Sequence, residues 1–587
     1  MPTVGVKAAL LFDVLGRTYT EEEFADLCFE YGLELDEVTS EKQMLSKERG
    51  EDKSEGASEE VIFRIDIPAN RYDLLCLEGI ARALLIFKGK IPSPRYLATT
   101  PDALQTITVL PDTARVRPFV VAAILRNLHF TKDSYNSFID LQDKLHQNIG
   151  RKRSLVSIGT HDLDTIEGPF RYDARAPEDI RFMPLNDTVE RTAKELMELY
   201  AKDSHLRHYL HILRDKPVYP VILDKNDTVL SLPPIINGNH SKITLDTKNV
   251  FIEVTSTDLH KSKVALDTLV TMFSQYCATP FVAEKVQVVM PDGTTFLHPE
   301  LKYWEMDLKA SQANKFLGIE KSESELACLL TRMGLGAKEG GGGTLRVEIP
   351  PTRHDVLHVA DLLEDVAVSV GYDQIPRHLP PTATVARQFP LNKLTEQLRS
   401  ELAQAGFTEA LTFALCSKLD ISDRILKPEG DKIAVHISNP KTLEFQVART
   451  TLLPGLLKTV HANKNMPLPL KLFEVQDVVL RDTDSEVGAI NRRHVCAIHY
   501  GKTPGFEAVH GLLDRVMQLL EVSFGHGDDQ YHIRQAKDES FFPGRCAEVV
   551  ARGSVVGRLG VLHPDVITGF DLALPCAALE ISLEPFL

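Results

Sequence analysis

The alternation of apolar and polar positions changes period along the chain and divides it into segments. Residues 1 to about 40 mix short apolar runs with acidic residues, and Thr20 before Glu21, Glu22 and Glu23 predicts a capped helix start. From Ser40 to Glu60 large apolar residues nearly vanish, which predicts a mobile loop. VIFRIDI (Val61 to Ile67) reads as a strand running into a helix from Asn70 to about Phe87, and Pro92 and Pro94 close this first unit, 1–95. From 116 to 280, strands such as RPFVVAAIL, LVSIG, PVYPVIL and NVFIEVTST alternate with helices near Ser134–Ile149, Thr188–Leu213 and Ser256–Tyr276, which makes one α+β domain. A smaller unit, 299–377, holds the helix SESELACLLTRMG capped at Gly334, the turn EGGGG and the strand LRVEI. The last unit, 388–587, opens with a helix whose Leu391, Leu394, Leu398, Leu402 and Ala405 form one stripe ending at Gly406. Its alternating strands KLFEVQDVVL, HVCAIHY, RCAEVVA and VVGRLGVL predict an antiparallel sheet with helices on one face.

Composition narrows the class of protein. The 587 residues suggest about four domains, and 43% hydrophobic with 25% charged residues fits folded cores. With 66 Lys and Arg against 82 Asp and Glu, the formal charge of −16 argues against a surface that coats nucleic acid by bulk electrostatics, though a local basic site is compatible with it. The eight scattered cysteines form no CxxC pair, which predicts neither a zinc site nor a disulfide framework. No basic stretch leads into a long apolar run at the start, and runs such as Val120 to Leu125 fall far short of the ~18 residues of a membrane span. A cytoplasmic chain with no membrane contact is expected.

Two segments 282 positions apart echo each other, RIDIPANRYDLL from Arg64 and RVEIPPTRHDVL from Arg346. In each, an N-cap type (Asn70, Thr352) precedes an aspartate by three residues (Asp73, Asp355), where a carboxylate can accept the amides of a first helical turn. The echo reads either as a recurring strand–turn–helix or as two related surfaces that grip a partner. The second helix places Val356, Val359, Ala360, Leu363, Val366, Ala367 and Val370 on a core stripe, with Asp361, Glu364 and Asp365 on the opposite flank. Like charges at that spacing repel, and a hard cation such as Mg²⁺ would relieve them; a solvated acidic face is the alternative. Asp355 lies about a third of a turn from that flank. The histidines of HLRHYLH (His205, His208, His211) and the HDLD run (His161, Asp162, Asp164) are weaker metal candidates, because neither completes a ligand set.

Longer motifs point further. IPPTRHDVLHVADLLEDVAVSVGYDQIP, SNPKTLEFQVARTTLLPGLLKTVHANKN, DIPANRYDLLCLEGIARAL and FFPGRCAEV occur from the start to near the end of the chain. Together they resemble the β-subunit family of phenylalanine–tRNA ligases in its eukaryotic and archaeal cytosolic form. The resemblance implies an N-terminal α/β module, a central α+β editing domain and a small helical, winged metal-binding domain. It implies a C-terminal class II synthetase-like domain without catalytic motifs, and Mg²⁺ bound by Asp355, Asp361, Glu364 and Asp365. It also implies an α₂β₂ heterotetramer with an α subunit that joins phenylalanine to tRNA(Phe) at the expense of ATP. The strand KLFEVQDVV carries no F-R-x-E, and Arg449 reads as structural or interfacial rather than as a phosphate ligand.

The editing domain of that family hydrolyses tyrosine mistakenly attached to tRNA(Phe). Its counterparts here are VSIGTHDLD, VLSLPPIINGNHSKIT and FIEVTSTD, whose Ser231, Asn237, Glu253 and Thr255 can hydrogen-bond a phenol or orient a water. Glu253 and Thr255 alternate and face one side of a strand. The alternatives are a purely structural or tRNA-binding subunit with an inactive pocket, and a free-standing metal-dependent hydrolase. Arg151, Lys152 and Arg153, between a helix and a strand, answer a helix dipole or meet tRNA phosphate.

Overall fold

A computed structural model describes residues 2–44, 58–380, 382 and 384–587, and in it the chain divides into two units, 1–379 and 380–587. Residues 45–57 of the expected mobile loop lie outside the described residues.

The first unit begins with β1 (Thr3–Lys7), α1 (Ala8–Leu15), α2 (Glu21–Tyr31), β2 (Glu34–Ser40), β3 (Val61–Asp66) and α3 (Leu77–Phe87). The sheet order is β1–β3–β2 and both pairings are antiparallel, so this module is α+β rather than the expected α/β. Thr20 caps α2 in a reciprocal box with Glu23, and Gly16 and Gly32 end α1 and α2 with φ of +69° and +83°. The helix expected from Asn70 starts only at Leu77, after a short turn at Tyr72–Leu74. The reason is Asp73. Its carboxylate takes the Arg71 guanidinium at 2.9 and 2.8 Å in a buried pair instead of capping a helix.

The middle of the unit is a rolled sheet. Its elements are β4 (Leu97–Thr99), β5 (Gln105–Val109), β6 (Phe119–Leu125), α4 (Lys132–Gln147), β7 (Val156–Asp162) and β8 (Phe170–Arg175). There follow β9 (Tyr219–Leu223), β10 (Val229–Leu232), β11 (Ile236–Asn237), β12 (Val250–Ser256), α5 (Leu259–Phe273), β13 (Val282–Val289) and β14 (Thr295–His298). The order is β11–β10–β9–β8–β5–β13–β6–β12–β7, with β4 and β14 also on β13. The sheet thus draws on strands outside 116–280 on both sides. Its two ends meet, since Ser231 of β10 bonds Glu253 of β12 and Asp162 of β7 donates to Ser241 O. One face packs against α4 and α5, and the other encloses Ile107, Val120, Phe170, Tyr172, Leu230 and Phe251. The helix expected over Thr188–Leu213 is only Ala193–Tyr200 followed by two single turns, because Asp203 accepts from His205 N and Leu206 N and breaks it.

A second module then repeats the first. It comprises β15 (Trp304–Lys309), α6 (Ala310–Leu317), α7 (Glu323–Arg332), β16 (Gly336–Gly341), β17 (Thr344–Ile349) and α8 (Val359–Val370), with sheet order β15–β17–β16. Ser322 and Glu325 form a capping box as Thr20 and Glu23 do, and Gly318 and Gly334 have φ of +69° and +84°. These matches lie 302 positions apart, whereas the arginine–aspartate pairs lie 282 apart. The shorter β16–β17 hairpin accounts for the difference. The modules also meet reciprocally: α2 packs on α8, and α3 on α7.

The second unit is a seven-stranded sheet. It contains α9 (Pro390–Gln404), β18 (Thr408–Glu409), α10 (Leu453–Ala462), β19 (Leu470–Arg481), β20 (Ala489–Tyr500) and α11 (Phe506–Leu519). The remaining strands are β21 (Tyr531–Gln535), β22 (Phe541–Ala551), β23 (Ser554–Leu562) and β24 (Cys576–Ser582), in the order β18–β19–β20–β24–β23–β22–β21. All neighbours are antiparallel except β18 with β19. Helices cover both faces rather than the one expected. Val495 and Ala497 face α9 and α11, while Cys496 and Ile498 face α10, so β20 is apolar on both sides.

Candidate functional site

Every residue of β12 is buried, and its alternation carries the site. Val250, Ile252 and Val254 join the core beneath α4 and α5, whereas Phe251, Glu253 and Thr255 point to the other face. Glu253 is 1% exposed. Ser231 Oγ donates to its Oε1 at 2.8 Å, His161 Nε2 lies 3.9 Å from the same oxygen, and Oε2 has no partner among the described residues. The carboxylate fits because its neighbour in register on β7 is Gly159, where a Cβ would lie 2.1 Å from Oε1. His161 Nδ1 in turn sits 2.8 Å from Ser241 Oγ, while its Nε2 has no hydrogen-bond partner among the described residues.

A cleft of about 690 Å³ opens over this cluster between α4 and the turn into β11, lined by His146, Thr160, Asn237, Lys242 and Glu253 among others. Ser231 and Glu253 are thus in direct contact, and Asn237 reaches Thr160 O at only 3.5 Å. Thr255 stands apart from the other three expected residues. Its Oγ1 accepts from Arg117 Nε at 3.3 Å and its carbonyl from Arg117 Nη2 at 2.9 Å, so it anchors a buried arginine. Burial pushes that guanidinium down to about 10. Burial also drives the His146 imidazole well below its ordinary value, helped by Arg153 and Arg117, and its Nε2 accepts from Ile158 N at 2.8 Å.

Arg151, Lys152 and Arg153 all have positive φ (45°, 53°, 65°), an unusual run for residues with side chains. Arg153 folds inward, 4.4 Å over the Tyr209 ring and donating to Ile235 O at 3.1 Å. Arg151 and Lys152 are exposed beside the cleft. Gly159, Arg117, His161 and Ser241 are the members of this neighbourhood that motif reasoning passed over as parts of the site. Only the Gly159–Glu253 register and the HDLD and NHSK runs hint at them. Asp162 instead accepts from Thr247 Oγ1 and Asp164 from Asn249 Nδ2, so HDLD builds a turn.

The four carboxylates assigned to Mg²⁺ do not converge. Arg353 donates to Asp355 at 2.9 and 2.7 Å and to Asp365 at 3.0 and 2.8 Å, which places a cation between them. Asp361 turns back to accept from Leu357 N and His358 N, both at 2.8 Å, and Glu364 is exposed. Asp365 is buried rather than on the solvent flank, because α8 buries a second face against the neighbouring module. Among the described residues no group of three or more His, Cys, Asp or Glu side chains is placed to hold a metal ion, so these donors as arranged do not fit Mg²⁺. The same holds for His205, His208 and His211, of which two lie in separate single turns. Arg449 is 5% exposed and donates to Glu474 at 2.8 Å and to Asp477 O at 2.9 Å. It braces the second unit.

Comparison with known proteins gives this arrangement a family. Residues 1–90 match the Phe-tRNA synthetase beta subunit B1 domain, 105–278 the B3/4 domain, 306–372 the tRNA synthetase B5 domain and 375–583 the phenylalanyl tRNA synthetase beta chain CLM domain. The chain is 60% identical to the phenylalanine–tRNA ligase beta subunit of Mus musculus, with all of both chains covered. It is 45% identical to the cytoplasmic phenylalanine–tRNA ligase beta subunit of Arabidopsis thaliana, again with both covered in full. A crystal structure of an N-terminal fragment of the phenylalanyl-tRNA synthetase beta-subunit from Pyrococcus horikoshii is similar at a TM-score of 0.56 and 32% identity, covering 63% of this chain and all of that one. With its cleft in the B3/4 region and its duplicated modules in the B1 and B5 regions, the chain belongs to the phenylalanine–tRNA ligase β-subunit family.

Proposed function

We propose that this β subunit hydrolyses tyrosine from misacylated tRNA(Phe) in its middle domain and pairs through its second unit with an α subunit in an α₂β₂ ligase. ATP and Mg²⁺ are then used at the α-subunit site, and the complex works in the cytoplasm, as the name of the Arabidopsis relative suggests. No helix among the described residues is long and apolar enough to cross a membrane. The observation that carries the editing reading is the buried Glu253 carboxylate at the floor of a cleft of about 690 Å³, with one oxygen unpartnered among the described residues. A cleft of this volume is in the range that holds small ligands.

A pocket selective for phenylalanine rejects an added hydroxyl only modestly, so accuracy calls for a second site that recognises that hydroxyl. Glu253 supplies an acceptor for it, held in place by Ser231. At the ester, water's oxygen bonds the carbonyl carbon, the acyl–oxygen bond breaks, and the ribose oxygen leaves with a proton that water gives up. Asn237, at the cleft wall, is placed to orient the ester or the water.

The test is a deacylation assay with the co-expressed αβ complex and tyrosyl-tRNA(Phe). Hydrolysis well above the rate in buffer supports the reading. A rate equal to buffer sinks it and leaves a structural or tRNA-binding subunit.

A further inference from the structure

Between the two repeated modules lies a groove of about 1070 Å³. Helix ends build it. Phe29 and Glu30 from the last turn of α2 line it, as do Val368 and Val370 from the last turn of α8, so both helices bring their C-termini to the same space. A helix C-terminus carries roughly half a negative elementary charge, which a basic side chain in the last turn can offset. Neither α2 nor α8 has a basic residue there.

The rim adds formal charge of the same sign. Asp26, Glu30, Glu34, Asp66 and Asp373 line the groove and form no ion pair among the described residues; Asp66 and Asp373 accept from the neutral Thr3 Oγ1 and Gln374 Nε2. Arg332 is the one base among the described lining residues, and its guanidinium is engaged. It donates to Phe87 O at 3.2 Å and to Ser369 O at 3.0 Å, and lies 4.4 Å over the Phe87 ring. Apolar surface accompanies the carboxylates. Leu33 and Phe87 are buried, whereas Phe29 and Tyr372 are 72% and 61% exposed. Ser369, only 4% exposed, also lines the groove, and its Oγ has no partner among the described residues. A buried hydroxyl left in that state calls for a polar group from outside.

We infer that this groove docks a basic segment of a partner protein, whose lysine and arginine side chains answer the carboxylates and helix ends while its apolar side chains cover Phe29 and Tyr372. Charge selects the class of partner. The phosphates of nucleic acid and the headgroups of acidic lipids are repelled from such a surface. A single metal ion does not fit either, because among the described residues no three carboxylates converge on one point. The charge is spread along the rim, which suits several cationic side chains rather than one ion. The inference stands apart from the editing reading, since the groove and the middle-domain cleft share no lining residue.

The test uses the full αβ complex and the fluorescence anisotropy of a labelled peptide, Lys-Arg-Phe-Lys-Leu-Arg-Lys, at physiological salt. Wild type should bind it and should ignore a version with glutamate at every basic position. The double variant Glu30→Lys/Asp373→Lys should weaken binding by about 10-fold or more. Phe29→Ser should weaken it by about 5-fold through the lost apolar contact. The double variant Asp528→Lys/Asp529→Lys makes the same charge change at an exposed site on the second unit and should stay within about 2-fold of wild type.

A wild type that leaves the peptide free overturns the inference. So does equal weakening by the two charge reversals, which marks diffuse attraction to a chain of net charge −16. Wild-type affinity in Phe29→Ser removes the apolar contact and overturns it as well. Mg²⁺ should displace the peptide no better than sodium chloride at matched ionic strength; stronger displacement makes the groove a cation site and overturns the docking of a basic segment. The glutamate peptide and the Mg²⁺ competition need no variant, so they decide even where a substitution disturbs the fold.

Discussion

At the scale of single residues, Glu253 and Gly159 make opposite demands that the register reconciles. Replacing Glu253 by Gln keeps the shape but removes the charge, and a hydrogen bond to a charged partner contributes about 1.5–3 kcal/mol. Tyrosyl-tRNA hydrolysis by Glu253→Gln should therefore fall by roughly 10- to 100-fold with phenylalanine ligation unchanged. Deacylation at the wild-type rate would remove the carboxylate from the site. Gly159→Ala sets a methyl against Glu253 Oε1 and should cost about 1–3 kcal/mol, read as a lower denaturation midpoint; an unmoved midpoint contradicts the packing described. The shared face of Glu253 and Thr255 was legible from alternation, whereas the Ser231–Glu253 contact joins two strands that alternation cannot relate. For Thr255, alternation gives the face but says nothing of Arg117, which claims its hydroxyl. Gly159 carries no side chain to notice, and its role depends on pairing with a strand nearly a hundred residues away.

At the scale of elements, the turn from β17 into α8 looked like a cation site and is held instead by an arginine. Burial alone would raise both aspartates. At Asp355 the charges of Arg353 and Arg71 outweigh it and hold the carboxyl low, whereas at Asp365 burial wins and pushes it up to about 6. Arg353→Met strands two buried carboxylates and should cost about 3–5 kcal/mol, while Asp361→Ala removes a helix-start contact worth about 0.5–2 kcal/mol. Differential scanning of the two variants checks the order. Added Mg²⁺ or EDTA should leave the wild-type midpoint in place, and a shift that Glu364→Ala abolishes would restore the metal. The helical wheel failed here because it assumes one buried face, and α8 has two. The basic turn after α4 belongs to the same scale. Reversing Arg151 and Lys152 to Glu should raise KM for tRNA and flatten its dependence on salt, with little change in kcat. An unchanged salt slope would return the turn to a purely structural role.

For the N-terminal unit as a whole, stability against pH depends on its internal seam. A cavity of about 150 Å³ between α5 and the second module is lined by His260, Lys263, Asp267, His298, Glu300 and His354. Burial holds His298 and His354 each at about 4, aided by Lys263 and His260 respectively. Between the ordinary histidine value of 6.5 and about 4, the unfolded chain binds protons that the folded chain does not, so stability falls as pH falls through that window. Asp365, raised above its unfolded value, works the other way and gains stability as pH drops below about 6. His354→Gln should flatten the decline measured by urea titration from pH 7 to 4.5, and an unaltered slope would place the sensitivity elsewhere. At this scale the sequence disclosed one short echo, but not that the echo belongs to a complete duplication. The longer β2–β3 connection shifts the register by twenty positions, so the helix caps and the arginine pairs never align at one offset. The reciprocal packing of α2 on α8 and α3 on α7 is the geometry of a two-fold dimer, in which one patch meets its own copy. The chain thus carries, fused and with the middle domain threaded between the halves, the geometry of a homodimer within one polypeptide. A substitution on the face of one half is therefore met across the seam by the matching face of the other.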